Sequence, residues 1–523
     1  MLGRANHQMT FEDVFGWRER IPKDSFWWKF KVWADEHIKD DDFADLFSEG
    51  GRPSVSPSKV VRGILVQLHM GYSDRSLEEG SAYDDRVKLA LGMRRSDPPL
   101  DASTLCRHRQ KLFSSKKADA LLKKVVSLAK EQGIISEEAE AMVDSFMVKG
   151  ACSRQDTFTL IRQAILRVLK ICELHGIDLR VSLIRDDYRS KKKPSINWDD
   201  PEEKRALLES LVKDARALID AASSIEGIPE ELKDAVELLK RVAEQDIEED
   251  EKGIRIKDGV SQDRVISVVD PEMRHGRKSS SYKVDGYKAH VMAAGEDGSF
   301  ITAVEVTAAN APDGDLLEDV IDSSFQNGVN PVSVVGDTAY GSGEIRQRME
   351  EKGISLIAPA PPVSKKEGFF SKEDFEINVD EGYCRCPAGV VTKKMGWGND
   401  GRGSRIKAFK FPDRVCASCP MKPRCTSSVR GRQVRIGRHE LLLQEARRIQ
   451  KAQEFKETYK RRCFIERTIC HVKRHGGSAS RFLGKAKTRF QIVMAAVLHD
   501  IKQLIKRLPI PPTDAPSQAV VSP

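Results

Sequence analysis

Apolar residues recur at three- to four-residue spacing through KVVRGILVQLHM at 59–70, DDRVKLALGM at 84–93 and TLCRHRQKLF at 104–113. This period predicts short amphipathic helices. Ser56 or Ser58 can cap the first, Ser76 and Glu79 have capping-box spacing for another near 73–80, and Ser103 can cap the last. The last helix is expected to expose Arg107, His108, Arg109 and Lys111. Short helices ending in a basic member suit a helix-turn-helix type DNA-binding unit over 46–130. A Trp/Phe-rich helical lead-in, with Phe15, Trp17, Phe26, Trp27 and Trp28, is expected over 1–45.

The period shortens at EEAEAMVDSFMVKG, 137–150, which predicts a strand with Asp144 in its middle. Aspartate is disfavoured within strands, so its presence there calls for a reason. Helical spacing returns at 156–176, and Leu207, Leu208, Leu211, Val212, Val236, Leu238 and Leu239 mark further apolar stripes, so 158–255 is expected to be an all-helical acidic insertion. Strands are expected at 264–268, 281–293, 299–307 and 331–336, with Asp297-Gly298 as a hairpin turn. Helices near 313–322 and 343–352 and a strand in GISLIAP complete the pattern. The order indicates an α/β fold, a mixed sheet flanked by helices and built from 137–157 and 256–360. A Cys-rich insertion follows at 361–438. The segment 439–508 is expected to hold one long basic helix to about 473 and a terminal helix, and 509–523 a disordered tail.

Charge sharpens this outline. The net +8 conceals a basic stretch at 401–510, with 28 Lys+Arg against 7 Asp+Glu, and an acidic one at 197–251, with 7 against 18. The basic stretch points to a polyanion partner, nucleic acid above all. No apolar run approaches membrane-span length. The N-terminus lacks the pattern of a secretory signal, so an intracellular protein is expected. Five of the ten cysteines, Cys384, Cys386, Cys416, Cys419 and Cys425, fall within about forty residues, a clustering that in such a chain favours metal over disulfides. Cys386, Cys416, Cys419 and Cys425 have structural-zinc spacing, and Cys384 could replace Cys386.

Tyr459, Arg462, Glu466 and Lys473 fall within an arc of roughly 60° if the chain there is one helix. A lone carboxylate among cations suits a metal or phosphate site. The bland alternative is an Arg462–Glu466 pair on a solvated face. Asp144, in mid-strand, and Asp337, closing a buried strand, could converge on Glu466. Three such oxygen donors without His or Cys suit Mg²⁺ or Mn²⁺. Asp156 and Asp270 are the rivals of Asp144. Asp156 fits a helix N-cap, and Asp270, preceding Pro271, fits a turn.

The spacing Tyr-x2-Arg-x3-Glu-x6-Lys, the VDS around Asp144, VVGDTAYGS around Asp337 and the GYKAHV…ITAVEVTAAN hairpin resemble bacterial insertion-sequence transposases of the DDE type. The N-terminal helices resemble the DNA-binding region of the same proteins. The resemblance implies an RNase H-like catalytic fold and metal-dependent DNA cleavage and joining at the ends of a mobile element. Asp144, Asp337 and Glu466 would hold Mg²⁺ or Mn²⁺. Tyr459, Arg462 and Lys473, with Arg107 and Arg109 from the N-terminal helices, would contact DNA. The implied partners are double-stranded DNA, as element ends and target, and a second copy of the chain. The implied location is cytoplasmic, on the nucleoid. A catalytically silent DNA-binding derivative is the alternative.

Overall fold

A computed structural model describes residues 1–4, 16–179, 183–190, 194–251, 253–279, 281–399 and 405–508. Phe15 and the tail at 509–523 lie outside the described residues.

The N-terminal region forms α1 (Phe26–His37), α2 (Pro57–Met70), α3 (Asp74–Tyr83), α4 (Asp85–Ala90), α5 (Ala102–Phe113) and α6 (Lys117–Glu131). Ser56 caps α2, as its position suggested. The caps of α3 and α5 are Ser73 and Asp101, not Ser76 and Ser103, and their side chains accept from Ser76 N–H (3.0 Å) and Thr104 N–H (2.8 Å). In each case the helix starts earlier than expected, and the side chain at its true N-cap, two or three residues upstream, takes the bond.

The central sheet holds β1 (Glu138–Lys149), β2 (Arg274–Arg277), β3 (Lys283–Ala294), β4 (Phe300–Ala308), β5 (Asn330–Val335) and β6 (Ser355–Ile357). Its order is β2–β3–β1–β5–β6, with β4 also on β3. The β1–β3 and β3–β4 pairs are antiparallel, and β1–β5 and β5–β6 are parallel. Side chains alternate across β1. Met142, Phe146 and Val148 join the core beneath the N-terminal helices, while Ala141 and Val143 join the core on the other face. The strand expected at 264–268 is not a strand. Its backbone groups bond Gln155 and Gln245 instead of a neighbouring strand, with Val265 N–H to Gln245 Oε1 at 2.9 Å and Val268 N–H to Gln155 Oε1 at 2.8 Å.

The insertion comprises α7 (Thr157–Leu174), α8 (Pro201–Ser223) and α9 (Glu230–Gln245) around its own apolar core. It is not entirely helical, because Ile247–Asp250 and Gly253–Ile256 pair as an antiparallel ribbon. The outer face of the sheet is covered by α10 (Leu317–Gln326) and α11 (Gly343–Glu351). The Cys-rich region holds two small three-stranded sheets.

The expected long basic helix is three helices: α12 (Glu440–Ile449), α13 (Gln453–Lys460) and α14 (Cys463–Val472). Ala452 is extended, and a tight turn at Arg461–Arg462 closes i to i+3 bonds, Arg462 N–H to Tyr459 O among them. The last helix, α15 (Lys485–Arg507), runs through the centre of the molecule. Leu498, Ile501 and Leu504 are wholly buried on it, each worth about 2 kcal/mol of transfer free energy. One continuous core joins α15 to α1, α2, α6 and the inner face of the sheet, so the N-terminal helices are packed onto the sheet region. No described helix is long and apolar enough to cross a membrane.

Candidate active site

Parallel pairing sets Met142 opposite Val335. Asp144 and Asp337 each stand two residues further along, so period-2 alternation sends both carboxylates from one face of adjacent strands, whose backbones run about 4.8 Å apart. Asp337 is also a cap. Its carboxylate accepts from Ala339 N–H (2.8 Å) and holds the single 3₁₀ turn Thr338–Tyr340. Asp144 Oδ1 accepts from its neighbour's N–H, Ser145, at 2.8 Å.

Helix α14 packs on this face through Ile465, Ile469 and Val472. Thr468 Oγ1 donates to Gly298 O (3.0 Å) and pins the helix to the β3–β4 turn. Gly298 has φ +56°, and a Cβ there would meet Met142 Sδ at 2.8 Å, so both conformation and space require glycine. The expected turn at Asp297-Gly298 is therefore present and also seats the helix. After α14 the chain opens into a wide turn at Lys473–Gly477 and returns along β1, where Lys149 N–H donates to Ser478 O (3.0 Å).

This packing brings Arg462 between two of the expected carboxylates. Its guanidinium lies 3.2 Å from Asp144 Oδ2 and 2.5 Å from Glu466 Oε1. Burial raises the Asp144 pKa above the usual carboxylate range, and the like charge of Asp337 adds to the shift, against the opposing pull of Ser145 N–H and Arg462. Burial works against the Arg462 charge, but Asp144 and Glu466 outweigh it and raise its pKa. Arg461, one residue earlier, pairs with Glu140 on β1 and donates to Glu296 O at 2.9 Å.

The other residues of the pattern are spread around this centre. Lys473 Nζ lies 5.2 Å from the centre of the Phe146 ring, on the strand face that carries Asp144. Tyr459 stacks on Phe455 at 5.7 Å, on a different helix from Glu466, so the single-helix arc does not hold for it. Arg107 is exposed on α5. Arg109 is not, contrary to expectation. It is buried, with Asp74 at 2.7 Å and Gln67 at 3.1 Å. Asp156 caps α7, accepting from Thr159 N–H at 3.0 Å. Asp270 is more than a turn residue: its buried carboxylate accepts from Tyr287 Oη and Gly484 N–H, joining β3 to α15. Neither rival of Asp144 faces the site.

Cys386, Cys416, Cys419 and Cys425 line one apolar cavity. Cys384 does not line that cavity but lies buried in the adjoining core, where burial pushes its thiol up to about 12. Among the described residues, no three His, Cys, Asp or Glu side chains stand close enough together to hold a metal ion.

The residues at 385–505 match the family described as Transposase DDE domain, and those at 15–111 match Transposase domain (DUF772). Both matches are to transposase domains, and together they support an insertion-sequence transposase of the DDE type. The first match contains Tyr459, Arg462, Glu466, Lys473 and the cysteine cavity. Asp144 and Asp337 lie outside both matches. Comparison with curated proteins and with solved structures gives no match.

Proposed function

We propose that this transposase performs divalent-metal-dependent DNA cleavage and strand transfer at the ends of an insertion sequence, with Asp144, Asp337 and Glu466 as its catalytic carboxylates. The observation that carries the reading is the Asp144–Arg462–Glu466 bridge beside Asp337, which links two adjacent strands to the helix bearing the signature glutamate. The strand order β4–β3–β1–β5–β6, antiparallel then parallel, supports an RNase H-like core.

The donor set fits Mg²⁺ or Mn²⁺ in kind, although the three carboxylates must draw closer than they now stand to share an ion. All three ligating groups are hard oxygen donors, and a guanidinium already stands as a cation between two of them. Bound divalent ions would supply activation of a water or 3′-hydroxyl and stabilisation of the leaving oxygen of the phosphodiester. The chain's own part is to hold the carboxylates in a half-dry pocket and to meet the DNA backbone with Arg462, Lys473 and Tyr459. In this reading Arg462 leaves the carboxylates for a phosphate, a partner its planar fork suits equally well. Arg107 adds a contact from the N-terminal helices. Two copies of the chain would act on paired element ends at the nucleoid.

Labelled element ends incubated with protein and Mg²⁺ test the reading. Strand-transfer products are expected, and Glu466→Gln is expected to remove them while leaving DNA binding in place. Binding without cleavage by the unaltered protein would mark a silent DNA-binding derivative. Cleavage without joining would mark a nuclease.

We also propose a structural Zn²⁺ held by Cys386, Cys416, Cys419 and Cys425. Their shared apolar cavity and soft thiol donors support it, although the thiols must draw closer than they now stand. Elemental analysis of the purified protein is expected to find about one zinc per chain, the content of a four-thiolate site.

A further inference from the structure

Two residues of the signature pattern are each followed by a cation outside it: Arg467 after Glu466 and Arg474 after Lys473. With His471 between them they fall at i, i+4 and i+7, a narrow arc roughly 100° round the helix from Glu466. Helix α15 lies against this end of α14. The His471 and His499 rings are 5.5 Å apart, and Lys502 Nζ stands 3.0 Å from His475 Nε2. Lys506 follows one turn beyond Lys502, and Arg507 beside it reaches over the Phe300 ring. Arg467, Arg474, Lys506 and Arg507 are exposed, and His471 and Lys502 are half-buried.

Among the described residues, none of these Arg and Lys side chains pairs with a carboxylate. Arg461 and Arg462 at the head of α14 and Arg489 on α15 all do, with Glu140, Asp144 and Glu305. The one acid of α15, Asp500, is wholly buried and accepts from Ile301 N–H at 3.0 Å, so it does not offset them. Burial first, and then the charges of Lys506, Arg474, Lys502 and Arg467, hold His471 below its ordinary pKa, so the cations of both helices act on one place.

Basic residues at a helix end can simply answer the carbonyls left unpaired there. Arg507 does so, donating to Gln503 O at 3.0 Å. Two helix C-termini together carry about one negative charge, however, and four exposed cations exceed that. Lys502 and Lys506 also stand at i, i+4, where like charges destabilise a helix. An excess of one sign that the fold does not offset suits a polyanion held from outside.

We propose that this α14–α15 surface binds the phosphate backbone of duplex DNA beside the position that Glu466 addresses. From Arg467 to Arg474 the chain rises about 10 Å, the length of roughly three phosphates along one strand. Lys506 and Arg507 continue the track onto α15. Such contacts position the duplex and read no sequence. The inference rests on the active-site reading above for where the DNA lies.

The test uses the full chain with Arg467→Gln/Arg474→Gln, with Lys506→Gln/Arg507→Gln, and with all four changes. The control is Lys123→Gln/Lys240→Gln, which removes two exposed cations from α6 and α9. The probe is a random-sequence duplex, and the readouts are the salt dependence of its affinity and Tm. Each double variant is expected to lower the salt slope by about two, and the fourfold variant by about three to four, at 0.9 per phosphate contact. Tm should be equal or higher, because like charges are removed, and the control should keep its slope. Unchanged slopes in both double variants overturn the inference, and these two decide it if the fourfold variant does not fold. An equal fall in the control also overturns it, because net charge alone would then be acting. So does an unchanged slope with loss of self-association in sedimentation, which would assign the surface to the acidic insertion of a second copy. Glu466→Gln separates the two levels. If it loses strand transfer while the double variants keep their slope, only the surface falls. If it transfers strands like the unaltered protein while the double variants lose slope, the active-site reading falls and the surface stands as a DNA contact.

Discussion

Arg462 and Asp144 form an ion pair at 3.2 Å, with only 21% and 17% of their side chains exposed. The second arm of Arg462 reaches Glu466, whose side chain is 54% exposed. The two contacts differ in weight. An exposed pair one helical turn apart is worth about 0.3–0.5 kcal/mol, so Glu466 is held loosely. The contact to Asp144 lies in a drier setting, where charge interactions are stronger. Arg462 thus guards Asp144 more than Glu466, and it competes with any cation for that carboxylate. Arg462→Gln is expected to tighten Mn²⁺ binding by roughly tenfold, equivalent to one pKa unit of interaction, while cleavage of element ends falls. Calorimetry in the absence of DNA checks the first part. Weaker Mn²⁺ binding in the variant would mean that Arg462 orients Asp144 instead of competing for it.

Asp337 has two tasks that substitution can separate. Its carboxylate caps the Thr338–Tyr340 turn through Ala339 N–H. Asn accepts the same bond and Ala does not, so Asp337→Asn should keep the Tm and Asp337→Ala should cost about 1 kcal/mol. Both should abolish DNA cleavage. Residual cleavage in Asp337→Asn would remove this carboxylate from the chemistry.

The strands were legible because β1 and β3–β5 carry period-2 or continuous apolar patterns, and Asp144 stood out as the polar residue at an inward position of β1. The sequence could not give the register that sets Asp144 beside Asp337, because strand pairing is a long-range property. The three-part division of 439–473 was also hidden. No Pro or Gly marks its breaks, and the extended Ala452 and the Arg461–Arg462 turn follow from how α13 and α14 pack. Arg109 misled for a related reason. On α5 it reads as one more surface cation, and only the fold brings Asp74 and Gln67 to it.

That burial separates the two arginines of α5. Removing Arg109 strands Asp74, whose side chain is 31% exposed and so partly solvated, at a cost of about 1–3 kcal/mol. Arg109→Ala should therefore lower the urea midpoint strongly and affect DNA binding only through stability. Arg107→Ala should leave the midpoint unchanged, weaken DNA binding across sequences, and reduce the salt slope by about one. A stable Arg109→Ala protein with specifically weakened DNA binding would restore Arg109 to the interface.

Acidification should destabilise the protein before its surface carboxylates titrate. Burial holds His69, His290, His475 and His499 at about 4, well below the ordinary histidine value of 6.5. Lys502, 3.0 Å from His475 and 3.5 Å from His69, adds to the penalty on protonating those two. The folded pKa values are depressed, so the unfolded chain takes up protons first. The stability they contribute is full above pH 6.5 and is lost as pH falls toward 4. Asp500 and Asp144 act in the opposite sense. Burial raises both, so their contribution is present below the ordinary carboxylate pKa and lost as pH rises. Between pH 6.5 and 4 the four histidines outnumber them, and the net effect follows the histidines. The urea midpoint should therefore drop from pH 7 to pH 6 and again to pH 5. His499 donates or accepts through Nε2 at 2.8 Å from Ser299 O, and a carbonyl can only accept, so this nitrogen carries the proton in the neutral ring. Glutamine can supply the same donor without titrating. His499→Gln should flatten the decline, most clearly between pH 6 and 5, and a slope equal to that of the unaltered protein would assign the acid sensitivity elsewhere.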